Sequence, residues 1–280
     1  MINKVSLILL LPLFFLLLPP LSGVSESALI DDNKIVDWEI RQKIENVTNV
    51  IDSGELKKED LSVAYQYRGI LYSDLYLLGE ASRDLKKSVE IDPNNINAYV
   101  DLGIIYMKFG DYNAAIGYCE EAISLDNKND YAYENKGYAI FYSNKYEEAF
   151  KIFQHCLNLD PTDKYRFLWE FISCERSGRS GKDILRKRLE GTQSNEWPEN
   201  LIKLFLDEIK PEAVLNNPKI AKPMTNIQAE CEAFFFIGQY FILKGDLSKA
   251  REYFQKSVAT EVKEFLEYLF SRKELERLSN

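Results

Sequence analysis

The chain has 280 residues, of which 44 are acidic and 35 are basic, so its formal net charge at pH 7 is −9. With 17 Tyr, 16 Phe and 3 Trp, it is too rich in aromatic side chains for a disordered polymer. The acidic balance argues against nucleic acid or an anionic lipid surface as the main partner, because both are bound through Lys and Arg. These numbers predict a folded protein.

Residues 1–25 have the pattern of an export signal, in which Lys4 precedes an apolar run from Val5 to Leu21. The run is short for a spanning helix and is broken by prolines. Gly23 and Ser25 are small residues at the spacing of a cleavage site, so we expect the mature chain to begin near Glu26. The alternative is an uncleaved signal that anchors the chain.

Residues 26–61 follow as a predicted N-terminal linker and helix. Apolar residues recur there at spacings of three and four, which is typical of one face of a helix. We interpret this stripe either as packing on the first repeat or as the contact with a second subunit, and it consists of Val36, Ile40, Ile44, Val47 and Ile51.

A pattern then repeats every 34 residues, marked by Gly69, Gly103 and Gly137. Other columns keep the same register. A Tyr precedes each Gly by four positions, an Ala follows it by twelve, and a larger apolar residue follows it by sixteen: Tyr65, Tyr99 and Tyr133; Ala81, Ala115 and Ala149; Leu85, Cys119 and Phe153.

These columns resemble the tetratricopeptide repeat, a helix-turn-helix unit. Their physical chemistry agrees, since the Gly on the first helix lets the second helix approach closely. The Ala and the apolar residue four positions later form the facing stripe of the second helix. Asp92-Pro93 and Asp160-Pro161 each end a unit, because the residue before proline is disfavoured in a helix. A single unit cannot bury its apolar face, so we expect the units to stack.

The same columns return after an interruption, at Phe234, Gly238, Phe241, Ala250 and Phe254. The predicted fold is therefore an all-α tetratricopeptide-repeat superhelix. Its predicted organisation is a signal segment (1–25), an N-terminal linker and helix (26–61), three repeat units (62–163), an irregular helical insert (164–229), and a fourth unit with a closing helix (230–280).

The sequence is poor in the convergent reactive groups that an enzyme needs. It has one histidine, His155. A histidine-rich metal site would need more histidines, and no second histidine is available as the base of a Ser-His or Cys-His nucleophile system. Gly178 to Lys182 lacks the spacing and the preceding strand of a phosphate loop. We therefore predict no catalytic, metal or cofactor site. The cysteines have no close pair and are interpreted as buried free thiols, with disulfides left open: Cys119, Cys156, Cys174 and Cys231.

A binding surface is the remaining kind of site. In this repeat type the first helices line a concave groove, and an aromatic and aliphatic groove suits an extended or helical segment of another protein. The alternative is that the helices of residues 165–215 fold back and fill it. The residues expected to face the groove are Gln66 and Ile70; Asn97, Val100, Ile104 and Met107; and Tyr131, Glu134, Tyr138, Phe141 and Tyr142.

The order of these segments resembles the NlpI family of bacterial tetratricopeptide-repeat lipoproteins over roughly residues 35 to 275. The resemblance rests on Tyr67 to Tyr72, Leu102 to Tyr106, Asp160 to Asp163 and Gly245 to Leu247. The run Arg166-Phe167-Leu168-Trp169 discriminates best, because it lies outside the general repeat pattern.

The resemblance implies a homodimeric, non-catalytic adaptor of the cell envelope. Such a protein docks murein hydrolases and a C-terminal processing protease and thereby regulates cell-wall remodelling. In this family the signal ends in a cysteine that carries a lipid, and Val24 stands at that position here. We therefore expect a periplasmic protein, soluble or held by an uncleaved signal, with lipid anchoring in doubt. The alternative function is a general adaptor for secretion or for outer-membrane or pilus assembly, because the repeat alone does not select a partner.

Overall fold

A computed structural model describes residues 32–190, 197–216 and 226–279 of the chain. The predicted signal segment, its cleavage site and Val24 lie outside the described residues. By their contacts, the described residues from Asp37 onward form one compact unit. The fold described below is that of this unit.

Every regular element in the described ranges is an α-helix, so the predicted all-α class is confirmed. Helix α1 covers Asp32–Asp52. Three pairs of successive helices follow, and each pair packs against the next. They are α2 (Lys58–Asp74) with α3 (Leu78–Ile91), α4 (Ile96–Phe109) with α5 (Tyr112–Leu125), and α6 (Asp130–Tyr142) with α7 (Tyr146–Leu159).

The second half of the chain begins with shorter and less regular helices. The segment predicted as an insert contains α8 (Lys164–Arg176), α9 (Lys182–Leu189), α10 (Glu199–Phe205) and α11 (Pro211–Leu215). A further helix pair and a last helix close the chain: α12 (Asn226–Leu243), α13 (Leu247–Ala259) and α14 (Leu266–Arg277). Of the helices in the described part, none has the length and apolarity needed to cross a bilayer.

Short polar side chains build the turns between the first three pairs and the insert. An Asp ends each second helix and accepts the N–H two residues on at 3.0 Å: Asp92 from Asn94, Asp126 from Lys128, and Asp160 from Thr162. The next helix then begins at a side-chain cap, which satisfies an N–H that the helix leaves unpaired: Asn95, Asn129 and Asp163. The run from Asp126 to Asp130 therefore forms an inter-repeat turn.

The glycine column marks where paired helices touch most closely. A Cβ atom added at Gly69 would lie 2.8 Å from the Leu85 side chain, and one at Gly103 would lie 2.8 Å from Cys119 Sγ. At Gly137 the same atom would meet the Phe153 ring at 2.8 Å. The prediction that these glycines allow close helix approach is confirmed, and the residue each one faces is the apolar residue sixteen positions later.

The largest apolar core lies where α6, α7, α8, α12 and α14 meet. Trp169 stands inside it and is 1% exposed. Burying an aromatic or aliphatic side chain of this size stabilises the folded state by roughly 1.5–3 kcal/mol relative to leaving it in water. The insert helix α8 is therefore an integral part of the fold.

All four cysteines are buried and unpaired, as the sequence predicted. Burial raises the pKa of Cys119 and of Cys156 to about 12, which keeps both thiols protonated. Within the described ranges, no group of three or more His, Cys, Asp or Glu side chains could hold a metal ion.

Candidate functional site

The predicted groove residues lie along α2, α4 and α6, and we call the surface to which they belong the first-helix face. The structure divides this face into two parts. In the open part, which carries Gln66, Ile70, Asn97, Ile104 and Tyr131, side chains reach solvent, and Tyr131 is 56% exposed. The closed part is covered by other helices of the same chain.

The open part has a fixed polar network. Gln66 Nε2 donates a hydrogen bond to Asp101 Oδ2 at 2.8 Å, and Gln66 Oε1 accepts one from Asn95 Nδ2 at 3.3 Å. Because Asn95 also caps α4, this network holds α2 and α4 in register. Burial raises the pKa of Asp101 to about 6, and the Gln66 bond opposes that shift.

A buried lysine lies about two helical turns beyond Asp101 on α4. Lys108 is 8% exposed, and its Nζ donates to Ser73 Oγ at 3.0 Å. Burial lowers the pKa of Lys108, while the negative charges of Asp74 and Glu264 act in the opposite direction. Glu264 belongs to the α13–α14 connection, so this connection lies near enough to α4 for its charge to act on Lys108.

The closed part is aromatic, and the rings that cover it come from α8 and α14. The Tyr138 ring centroid lies 4.9 Å from that of Trp169 and 5.6 Å from that of Phe270. Tyr142 stacks on Phe270 at 4.2 Å, and Phe141 meets Trp169 edge to face at 5.3 Å. Offset and edge-to-face contacts at these distances are the geometries that aromatic side chains prefer in cores.

The expectation that Tyr138, Phe141 and Tyr142 line an open groove is therefore corrected. Their side chains are 8%, 0% and 2% exposed, because Trp169 and Phe270 of the same chain lie against them. The alternative of a self-filled groove describes this part better, although the filling comes from α14 as well as from the insert. Met107 is also buried in the main core, and Val100 lies in a small cluster with Ala122 and Ala132.

Polar contacts fix the end of α14 on this face. Arg277 Nη2 donates to the carbonyl oxygen of Tyr142 at 3.0 Å, and Arg277 Nη1 donates to Glu274 Oε1 at 2.9 Å. Gln239 Nε2 donates to the same Glu274 oxygen at 3.1 Å, and Arg176 Nη1 lies 3.6 Å from its other oxygen. These contacts connect α6, α8, α12 and α14.

A buried arginine connects α8 to α6. Arg166 Nη2 donates to Asp130 Oδ2 at 2.9 Å and to Glu134 Oε2 at 3.1 Å. The other Glu134 oxygen accepts a bond from Tyr138 at 2.7 Å. Glu134, predicted to face a partner, is thus occupied by groups of its own chain. Burial raises the pKa of Glu134, and Arg166 opposes that shift.

Two further carboxyl groups, one on α12 and one on α14, interact through their charges. Glu232 of α12 is 3% exposed, and its Oε1 accepts a bond from Trp197 Nε1 at 2.9 Å. Glu267 of α14 is half-buried, and its charge acts on Glu232. Burial, followed by mutual repulsion, raises the pKa of Glu232, and burial raises that of Glu267.

The α1 stripe changes in exposure along the helix. Val36 is 52% exposed, Ile40, Ile44 and Val47 are half-buried, and Ile51 is buried. Near its end, Thr48 Oγ1 accepts a bond from Arg68 Nη1 of α2 at 3.1 Å. The last turns of α1 therefore pack on the first helix pair, while earlier positions of the stripe keep apolar surface in contact with solvent.

Asp101, Lys108, Trp169 and Phe270 shape this face and were not predicted as site residues. Asp101 carries a local signal, because it is a polar residue beside Val100 on the predicted groove helix. No local signal identifies Phe270, because its contacts with α6 join distant parts of the chain.

Comparison with protein-family models finds tetratricopeptide repeats at residues 85–117, 131–163 and 232–260. The chain therefore contains tetratricopeptide repeats, and the last match lies at the predicted fourth unit. This repeat forms scaffolds for protein–protein interaction.

Solved tetratricopeptide-repeat structures resemble the chain at low sequence identity. YrrB, described as having an unusual peptide-binding site, is 18% identical, covers 82% of this chain with 99% of its own, and has a TM-score of 0.45. MamA is 21% identical over 71% of this chain and 91% of its own, with a TM-score of 0.44. The second repeat domain of human RPAP3, in complex with an HSP70 peptide, is 22% identical. The match covers 41% of this chain and 95% of that domain, with a TM-score of 0.39.

Proposed function

We propose that the protein is a non-catalytic adaptor of the bacterial cell envelope. It binds murein hydrolases and a C-terminal processing protease and regulates cell-wall remodelling by bringing them together. The observation that carries the proposal is the run Arg166 to Trp169, the part of the family resemblance that lies outside the general repeat pattern. In this chain Arg166 joins α8 to α6, and Trp169 lies in the core, so the run accounts for how the insert attaches to the repeats.

The docking surface in this proposal is the open part of the first-helix face. It offers half-buried apolar side chains at Ile70 and Ile104, the exposed ring of Tyr131, and hydrogen-bonding groups at Asn97 and Asp101. An aromatic anchor beside aliphatic and polar positions suits a peptide segment, which contributes apolar side chains and main-chain hydrogen bonds. The closed part is not available to a partner, because the rings of α8 and α14 pack on it and hold α6 in place.

The proposal includes a periplasmic location and a homodimer that uses the exposed part of the α1 stripe. The export pattern of residues 1–25 and the family resemblance support the first. Apolar surface left by the stripe, including Val36 at 52% exposed, supports the second. Lipid anchoring is not part of the proposal, because Val24 stands where the family carries a cysteine.

Site-specific photo-crosslinking in envelope extract tests the partners and the surface together. A photoreactive amino acid at Asn97 lies on the open part, and one at Gly117 lies on the exposed side of α5. We expect the Asn97 variant to form adducts with murein hydrolases and the processing protease and the Gly117 variant to form none. Adducts with barrel-assembly, secretion or pilus components would replace this function with the general adaptor alternative.

A second assay tests whether the protein cleaves peptidoglycan by itself. Purified protein incubated with isolated peptidoglycan should release no soluble fragments alone and should change the release by an added hydrolase. Fragment release by the protein alone would contradict the adaptor proposal.

A further inference from the structure

The negative charge of the chain is concentrated in its first three repeat units. Residues 62–163 carry 16 acidic and nine basic side chains, whereas residues 164–280 carry 18 acidic and 20 basic ones. The two cations of α4 and α6 are already engaged, since Lys108 is buried and Lys136 pairs with Glu120 of α5 at 2.8 Å. Along α4 and α6, the first-helix face therefore presents carboxyl groups without a free cation beside them.

Three carboxyl groups beside Tyr131 share one guanidinium group. Arg166 Nη2 lies 2.9 Å from Asp130 Oδ2 and 3.1 Å from Glu134 Oε2, and Arg166 Nε lies 3.6 Å from Asp163 Oδ2. The Arg166 side chain is 2% exposed, whereas those of Asp130 and Asp163 are 30% and 29% exposed. One positive charge is thus shared by three carboxyl groups, and two of these groups reach solvent.

These side chains form a carboxylate cluster, which consists of Asp130, Glu134, Asp163 and Arg166. Its hydrogen bonds are incomplete on both sides. Among the described residues, no donor bonds to Asp130 Oδ1 or to Asp163 Oδ2. Arg166 Nε and Nη1 are buried and have no acceptor there, which is destabilising for a buried donor. The cluster therefore lacks a further cation for its carboxylates and a further acceptor for its guanidinium group.

An exposed aromatic ring and two aliphatic side chains continue this surface. The Tyr131 side chain is 56% exposed, and the Arg166 Cζ atom lies over its ring at 6.0 Å from the centroid, which leaves the other ring face open. The face of an aromatic ring attracts a cation. Ile104 on α4 and Ile70 on α2 are half-buried. A ligand that fits this surface combines positive charge with apolar groups.

A peptide segment has these properties, and a metal ion does not. No group of His, Cys, Asp or Glu side chains in the described ranges could hold a metal ion, and Arg166 already lies between the carboxylates of this cluster. A Lys or Arg side chain supplies a cation, and the main chain beside it supplies a carbonyl oxygen as acceptor. Neighbouring apolar residues of the segment can pack on Ile104 and Ile70.

We propose that the open part of the first-helix face binds an extended, positively charged segment of its partner protein. A Lys or Arg side chain of that segment lies at Asp130 and Asp163 beside Tyr131, and apolar residues lie against Ile104 and Ile70. Since the segment occupies the docking surface of the proposed function, its assignment rests on that function. The same carboxylates repel an acidic segment, so the charge of the cluster selects among partners.

Fluorescence anisotropy with the full chain and three labelled peptides tests the charge requirement. The first peptide is Ser-Lys-Leu-Ser-Phe-Lys-Leu-Ser-Gly, the second carries an acetyl group on both lysines, and the third has Glu in place of both lysines. We expect the acetylated peptide to bind about tenfold more weakly than the lysine peptide and the glutamate peptide to bind more weakly still. Affinity for the lysine peptide should fall as NaCl rises from about 50 to about 300 mM, because salt screens exposed charges.

Asparagine variants locate the charge that the peptide meets. Asp130→Asn and Asp163→Asn each remove one negative charge and keep a side-chain oxygen in place, and Asn can also cap a helix as Asp163 does. Each should weaken binding of the lysine peptide about two- to fivefold and leave binding of the acetylated peptide unchanged. Glu121→Gln, at an exposed position of α5, is the matched control and should change neither.

The proposal is overturned by equal affinity for the lysine and acetylated peptides, by tighter binding of the glutamate peptide, by no binding of any peptide, or by unchanged affinities in both Asn variants. The peptide series uses the wild-type chain, so it decides the charge requirement even where a variant folds poorly. Failure of the proposed function is a separate outcome, because photo-crosslinking at Asn97 identifies the partner whatever its charge.

Discussion

Gly238 and Gly117 are both helical glycines, and they differ in what surrounds them. A Cβ atom at Gly238 would lie 2.5 to 2.9 Å from three atoms of the Phe254 ring, whereas one at Gly117 would have no atom within 4 Å. Alanine favours a helix over glycine by about 1 kcal/mol, while overpacking a core costs about 1–3 kcal/mol. The two sites therefore separate a propensity effect from a packing effect.

We expect Gly238→Ala to lower the free energy of unfolding by about 1–2 kcal/mol and Gly117→Ala to raise it by about 0.5–1 kcal/mol. Urea denaturation followed by circular dichroism measures both. Equal effects at the two positions would contradict the role given to the glycine column.

Replacing Arg166 should have a large effect on the free energy of unfolding, because its guanidinium group is buried and paired with two carboxylates. Arg166→Met leaves Asp130 and Glu134 without their cation, and removing one partner of a buried ion pair costs about 3–5 kcal/mol. The deficit should shrink as pH falls from 7 to 4, because burial raises the pKa of Glu134 and protonation removes its unpaired charge. Arg186→Met breaks only an exposed pair with Asp183 and should change stability by less than about 1 kcal/mol. Denaturant midpoints at pH 7 and pH 4 make this comparison.

At the scale of the element, α14 is a helix with one dominant anchor. Phe270 is 1% exposed and contacts rings on α6, α8 and α12. Phe270→Ala should lower the free energy of unfolding by about 3–5 kcal/mol, as for other buried aromatic residues. Leu247→Ala, at a 54% exposed position, should cost little. Near-UV circular dichroism should also change in the Phe270 variant, and an unchanged aromatic signal would mean that α14 is not seated on these rings.

The helix pairs could be predicted because their signals are local. Gly103 and Cys119 lie sixteen residues apart in a spacing that recurs in each repeat, so their contact can be predicted from the sequence. The contact between Tyr142 and Phe270 has no such signal, because in a simple repeat array each unit touches only its neighbours. The open part of the first-helix face follows that rule, and its role as a binding groove stays a prediction. The closed part departs from the rule because α14 returns to α6.

At the scale of the whole molecule, the α1 stripe predicts how copies associate. Ile44→Asp places a charge on a half-buried position of the stripe, before the turn at Thr48 that contacts α2. If the protein is a homodimer through α1, this variant should be monomeric and otherwise folded, since burying a charge at an interface is costly. Light scattering after size-exclusion chromatography measures the mass. Glu45→Ala, at an exposed position of the same helix, is the control and should keep the wild-type mass.

The hydrogen bond from Arg277 to the Tyr142 carbonyl joins positions 135 residues apart, which bears on how the chain is made. A ribosome adds roughly 5–20 residues per second, so α6 and α8 exist for several seconds or longer before α14 has been synthesised. During that time Tyr138, Tyr142 and Trp169 lack the ring that will cover them. A nascent or C-terminally clipped chain thus presents aromatic surface that the finished protein hides, and it is the form most exposed to aggregation and to chaperone capture.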